Sequence, residues 1–393
     1  MATDGPWYED KQEIDDQETG DESDSIREYD LISTPNDFNV ATMISFVERG
    51  AVIIPGFQRN YVWDIKRASK LIESILIGLP IPQIFLYEEK RNKFLVIDGQ
   101  QRLMSIFYFF QQRFPRKERR AELRRIVDIN GSLPVEIFSD DEYFEKFNLK
   151  LPSQLQRDQN PYDGLNYKTL GAFAQQFDLR PIRNVIIKQI SPEGDDSSVH
   201  EIFHRLNSGG VPLTAQEIRM GLYHSKFYEM LSRINTSDRW RRFVGLPEPD
   251  ISLKDMEFLL RAFALAMPGQ AYNPPMSKFL NTFSKQAKKF SDEQVATLEN
   301  AFMSFCEACD DLGERAFRTQ KNRFSVTIFE SIFAAVVGPE IWSRNRSIAK
   351  VTPQKVDALK NDSEFSVALQ EGSTQRPNVE LRVRKAKEFL LTN

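Results

Sequence analysis

The spacing of hydrophobic residues along the chain changes near residue 215. Before that point, short apolar runs bounded by turn residues alternate with amphipathic stretches. Beyond it, almost every apolar run is spaced for one face of a helix. In the front half, residues 51–54, 85–87, 93–97 and 185–190 predict strands, with 135–138 a further candidate. The charged turn 88–92 should join two of these into a hairpin. Residues 65–76 place Ile65, Ala68, Leu71, Ile72 and Ile75 on one face and stop at Gly78 and Pro80, which predicts an amphipathic helix. Thr34, Pro35, Asn36 and Asp37 read as the polar start of a helix over 40–47, and residues 194–198 as the cap of another over 199–206. Behind residue 216, helices are expected over 216–231, 253–266, 276–290, 292–312, 326–337, 353–359 and 379–390. The expected fold class is therefore α/β (α+β): a mixed domain over 31–215 followed by an all-α domain over 216–393.

One stretch concentrates polar chemistry inside this apolar pattern. Asp98-Gly99-Gln100-Gln101-Arg102 separates a buried-strand pattern from a helical one that runs through Phe110. Glycine permits a sharp turn there, and the free N–H groups of the following helix suit an anion such as phosphate. The competing reading is a plain strand-to-helix turn capped by Asp98.

Two further stretches stand in order around it. Pro55-Gly56-Phe57-Gln58-Arg59-Asn60-Tyr61-Val62-Trp63-Asp64 gathers Gln, Arg and aromatics ahead of an amphipathic helix. Phe203-His204-Arg205-Leu206-Asn207-Ser208-Gly209-Gly210 ends one helix with two glycines, which allow left-handed backbone and close approach to a ligand. Thr214 and Glu217 then form a capping box for the next helix. Together the three motifs resemble the ParB/sulfiredoxin-like domain at the N-terminus of GmrSD-type modification-dependent restriction enzymes and related phage-defence proteins, over about residues 35–225.

The resemblance implies nucleotide binding and hydrolysis at the aspartate–glycine loop, and sensing of modified DNA. Carried over residue by residue, Asp98 would act on a metal or water, Gln100 and Gln101 would orient oxygens, and Arg102 would offset phosphate charge, with Asp98, Gln101 and Arg102 as the catalytic set. Gln58, Arg59, Gly99, Gln100, Asn207, Ser208, Gly209 and Gly210 would hold the nucleotide, an NTP with Mg²⁺. Gln58, Tyr61 and Trp63 could read or stack on a base, although plain core burial suits Trp63 equally. The implied partners are DNA, modified or unmodified, a nuclease or other defence protein, and a second copy of the chain. The alternative is a non-catalytic DNA- or protein-binding module with a degenerate nucleotide site.

Composition adds limits. With 41% hydrophobic residues and 30 Phe, the chain can bury a sizeable core. It has no run of membrane-span length, an acidic start unlike a signal peptide and two cysteines, so a cytoplasmic protein is expected. Residues 1–30 carry twelve acidic side chains against Lys11 and Arg27, a local charge of −10 within a total of −4, which leaves the rest at +6. Such a tail is expected to be disordered; the alternative reading is an arm that masks a basic surface or binds a partner. The densest basic run, Arg113 to Arg125, includes Arg116, Arg119 and Arg120 as candidate DNA contacts; the bland reading pairs them with neighbouring glutamates.

Several patterns are set aside. His200-Glu201-Ile202-Phe203-His204 matches the zinc-protease pattern, but the helix ends at once and the sole other histidine is His224, so no metal site and no zinc are expected. Cys306-Glu307-Ala308-Cys309 lacks a second pair for zinc and reads as two buried helical cysteines. There is no P-loop, and no histidine follows His224 to build an H-N-H nuclease. This departs from full-length GmrSD-type enzymes, so DNA cleavage is not expected from this chain alone.

Overall fold

The structure is a computed structural model that describes residues 6–10, 29–53, 61–130, 133–152, 160–191, 197–206, 214–250, 252–343, 348–370 and 372–391. The chain divides into two compact units, residues 28–222 and, discontinuously, residues 1–27 with 223–393. The boundary thus falls a few residues beyond the expected 215.

The first described strand, β1 (Tyr8–Glu9), belongs to the second unit. In the front unit, β2 (Asp30–Asn39) is followed by α1 (Val40–Glu48), β3 (Val52–Ile53), α2 (Ile65–Ile77), β4 (Ile84–Lys90), β5 (Lys93–Asp98) and α3 (Gln100–Phe110). Then come β6 (Arg113–Pro115), α4 (Arg120–Asn130), α5 (Val135–Ser139), β7 (Phe144–Lys146), α6 (Phe173–Leu179), β8 (Pro181–Ser191), α7 (Ser197–Leu206) and α8 (Ala215–Leu222).

Five strands form one mixed sheet in the order β2-β8-β4-β5-β3. β2 and β8 are antiparallel, β8 and β4 parallel, β4 and β5 antiparallel, and β5 and β3 parallel. The expected β4–β5 hairpin is present, turning where Asn92 adopts a left-handed φ of 61°. Ile84, Leu86, Val96 and Ile182 face a core closed by Met43 of α1, Ile72 and Leu76 of α2, Leu103 and Ile106 of α3 and Phe177 of α6. Tyr87, Leu95, Ile97 and Ile187 are buried outside that cluster, and α7, with Val199 and Phe203 buried, packs against β5.

Two local expectations are corrected. The residues around Pro35 form strand β2, and α1 begins only at Val40, capped by Asn39, whose side chain accepts from Thr42 N at 2.8 Å. β2 lies at the sheet edge, where proline's missing N–H interrupts no ladder. Residues 135–139 are a single helical turn and a half rather than a strand: Pro134 pre-sets the first turn, and Phe138 N bonds back to Pro134 O.

The second unit is helical: α9 (Lys226–Asn235), α10 (Asp238–Val244), α11 (Lys254–Ala266), α12 (Met276–Ala287), α13 (Asp292–Ala308), β9 (Phe324–Ser325), α14 (Val326–Val337), α15 (Pro353–Asn361), α16 (Ser363–Ala368) and α17 (Arg376–Leu391). The helix expected over 216–231 is broken into α8 and α9 around Tyr223–Ser225. The tail expected to be disordered through residue 30 contains an ordered segment, since β1 pairs in parallel with β9 and Asp10 is buried. No described helix is long and apolar enough to cross a membrane.

Candidate functional site

Strand directions set which termini share the end of the sheet that carries Asp98. The C-terminal ends of β5 and β3 lie there with the N-terminal ends of β4 and β8, because the latter pair runs antiparallel to β5. At this end Asp98 closes β5, opposite Phe85 of β4.

Gly99 makes the turn possible. Its φ of 96° is left-handed, and a Cβ there would lie 2.9 Å from Ile84 Cγ1 and 3.1 Å from Arg102 Nη2. Gly99 also occupies the N-cap position of α3, so no side chain caps the helix. The first intrahelical bond is Leu103 N to Gly99 O at 2.9 Å, leaving the preceding amides without intrahelical acceptors. Asp98 is therefore not a cap. Its Oδ2 accepts from Arg102 Nη2 at 2.8 Å, and the same nitrogen donates to the carbonyl of Gln83 at 3.1 Å. The Arg102 side chain is 16% exposed and that of Asp98 is 39%, so the guanidinium is sunk and the carboxylate faces outward. Arg102 Nε is buried with no partner among the described residues.

Gln101 is a clamp. Its Oε1 accepts from the amides of Val62 at 2.9 Å and Trp63 at 3.4 Å, pinning the segment ahead of α2. Its Nε2 remains the end available to a ligand. Gln100 is buried, with Nε2 pointing at Met104 Sδ at 3.5 Å.

Tyr61 is buried in the core. The Ser105 hydroxyl donates to Gln101 O at 2.6 Å, so the Tyr61 hydroxyl donates in turn to Ser105 Oγ at 2.8 Å. The Tyr61 ring packs edge-on to Tyr108 and Phe114, and burial pushes its pKa well above the usual tyrosine value, as it does for Tyr108. Trp63 is half-buried against the core, with the Arg67 guanidinium 4.6 Å from its ring centre. Asp64 caps α2 through Arg67 N at 2.7 Å.

The basic run is largely engaged within the fold. Arg120 donates to the carbonyls of Tyr61 at 2.7 Å and Pro115 at 3.2 Å, and burial lowers its pKa. Arg119 pairs with Glu122 and Glu142, Arg113 with Asp141, and Arg116 Nε donates to Asp141 O at 2.8 Å. The arrangement is the internally paired one. Two of its acids, Asp141 and Glu142, lie outside the run itself.

Gln58, Arg59, Asn207, Ser208, Gly209 and Gly210 lie outside the described residues, as do the side chains of His200 and His204. Among the described residues no cluster of three His, Cys, Asp or Glu could hold a metal. Glu201 pairs with Arg205 on α7. Cys306 and Cys309 are both buried and free, and burial pushes the Cys306 thiol up to about 12. A further residue went unnoticed in the sequence. Asn184 of β8 is fully buried beside Ile84, and its Oδ1 has no described partner. An amide at the start of the apolar run of a central strand was the available signal.

A mixed sheet with a polar strand–glycine–helix loop at one end, followed by a helical unit, defines the class of protein. Residues 40–224, most of the front unit, match the model of the GmrSD restriction endonuclease, N-terminal domain. The chain is also similar to an uncharacterised protein of Methanocaldococcus jannaschii, 22% identical over 255 residues, covering 51% of this chain and 43% of that protein. The chain thus spans less than half the length of that relative. No solved structure matches.

Proposed function

We propose that the front unit is a ParB/sulfiredoxin-like domain that binds and hydrolyses a nucleoside triphosphate, and that the chain is a DNA-recognition or regulatory component of a restriction-type phage-defence system whose nuclease lies elsewhere. The observation that carries this reading is the uncapped N-terminus of α3 behind Gly99, flanked by the Asp98–Arg102 pair, within the stretch that matches this family's model. The first-turn amides and the sunk guanidinium would take phosphate oxygens. Arg102 is preset by Asp98 and the Gln83 carbonyl, which reduces the ordering needed on binding. A Mg²⁺–nucleotide complex asks the protein for as few as one or two carboxylates, and Asp98 has a second oxygen turned from Arg102. The bound ion would supply charge neutralisation on the phosphates. Gln101 Nε2 would hold a phosphate oxygen or the attacking water.

The test is phosphate release from each of the four common NTPs with Mg²⁺, with and without modified DNA, for wild type and Arg102→Ala. Turnover that vanishes in the variant, with folding intact, supports the hydrolytic reading. A second reading, a binding module without turnover, is favoured by the engagement of Gln101 Oε1 and Arg102 Nη2 within the fold. Nucleotide binding without phosphate release in any condition would select it.

A further inference from the structure

The helical unit contains a groove already filled by a short extended segment. Tyr8 and Glu9 pair in parallel with Phe324 and Ser325, and Phe324 N bonds to Trp7 O at 3.1 Å. The Trp7 indole packs against Phe258 and Phe324, which are stacked on one another at 5.8 Å, and its N–H donates to Asp250 Oδ2 at 3.3 Å. Tyr8 packs edge-on to Phe258. Both oxygens of Asp10 lie 3.1 Å from Arg261 Nη1.

Arg261 is divided between two carboxylates. Its Nε and Nη2 edge bonds Glu330 at 2.7 and 3.2 Å, and Glu330 also accepts from Arg382 at 2.9 Å. Arg382 is fixed by the carbonyl of Ala368 at 3.1 Å and that of Ser373 at 2.5 Å. One edge of Arg261 therefore belongs to the interior of the helical unit, while Nη1 meets the N-terminal segment. Burial works against charge on Arg261, and Glu330 and Asp10 more than offset it, holding its pKa above the usual value.

We propose that this groove is a strand-docking site for extended peptides with paired aromatic residues followed by a carboxylate, and that the chain's own residues 6–10 are its resident, displaceable ligand. The chemistry is that of strand addition: backbone bonds give the direction, aromatic pockets and a charged terminus give the selectivity. The attachment is small. Two residues of ladder, two rings, an indole hydrogen bond and one carboxylate are among the contacts that hold the segment, whose Trp7 and Tyr8 are only half-buried. Arg261 keeps its Nε and Nη2 bonds to Glu330 when Asp10 leaves, which holds the receptor edge in place, while Nη1 loses its carboxylate and so selects for an acidic replacement.

The experiment uses the full chain with a specific protease site inserted after Gly20. After folding and cleavage, a fluorescent peptide of residues 5–12 is added and followed by anisotropy. Cleaved protein should exchange its fragment for the labelled peptide. Peptides carrying Asp10→Asn or Trp7→Ala should bind at least about tenfold more weakly. Uncleaved protein should take up far less, because the tethered segment competes at an effective concentration of roughly millimolar. A fragment that never exchanges makes the segment a fixed part of the unit and overturns the proposal. So does a fragment that leaves without the peptide replacing it, or equal binding by the Asp10→Asn peptide.

Discussion

Arg102 reaches back across the Gly99 turn and places Nη2 2.8 Å from Asp98 Oδ2, so the two charged residues of the loop are partners before any ligand arrives. Arg102→Lys should test what the planar group contributes. Lysine keeps the charge but loses the planar group in which Nη2 serves both Asp98 and the Gln83 carbonyl while further N–H donors remain for phosphate. Phosphate release should fall about tenfold or more, while the denaturant midpoint changes little, since partly exposed pairs contribute under about 1 kcal/mol. A lysine variant with wild-type turnover would remove the guanidinium from the proposed chemistry.

Gly99→Ala should destabilise the front unit by about 1–3 kcal/mol. The methyl group would meet Ile84 at 2.9 Å in a backbone conformation that disfavours any side chain. Urea unfolding monitored on the front unit reads the loss directly. A variant as stable as wild type would mean that the turn relaxes without strain.

Tyr61→Phe separates packing from base recognition. The phenol donates to Ser105, so its removal should lower stability by about 1 kcal/mol and leave DNA affinity unchanged. Reduced DNA affinity at equal stability would return Tyr61 to the binding surface.

Stability should also decline in alkali. Tyr61 and Tyr108 have folded pKa values raised above the unfolded value of about 10, because burial resists the phenolate. The unfolded chain then releases protons that the folded one retains. Their contribution is complete below about pH 10 and is lost as pH rises from there towards the folded values. Melting temperatures across pH 8 to 11 should fall, and Tyr108→Phe should flatten the decline.

Cys306 and Cys309 should be inert in the native protein. Both thiols are buried and shifted upward by desolvation, so a thiol reagent at pH 8 should label neither until denaturant is added. Rapid native labelling would indicate that α13 opens locally.

Much of the front unit was legible because its signals are local. The apolar face of α2, the β4–β5 hairpin and the glycine turn at Gly99 each depend on neighbours a few residues away. The pairing of the basic run was legible only in part, because Arg113 and Arg119 find acids more than twenty residues on, at Asp141 and Glu142. The roles of Gln101 and Tyr61 depended likewise on contacts across 38 to 44 residues, which periodicity does not report. Pro35 suggested a helix start because proline serves first turns and edge strands alike.

The discontinuous helical unit imposes an order on synthesis. Trp7 to Asp10 emerge first, yet Arg261 follows Asp10 by 251 residues. At about 5–20 residues per second that separation is tens of seconds on a translating ribosome. The front unit is complete long before, and can fold with the N-terminal segment still unmated. Two rings and a carboxylate must therefore wait in solvent, open to capture by any similar groove, until the chain has made their own.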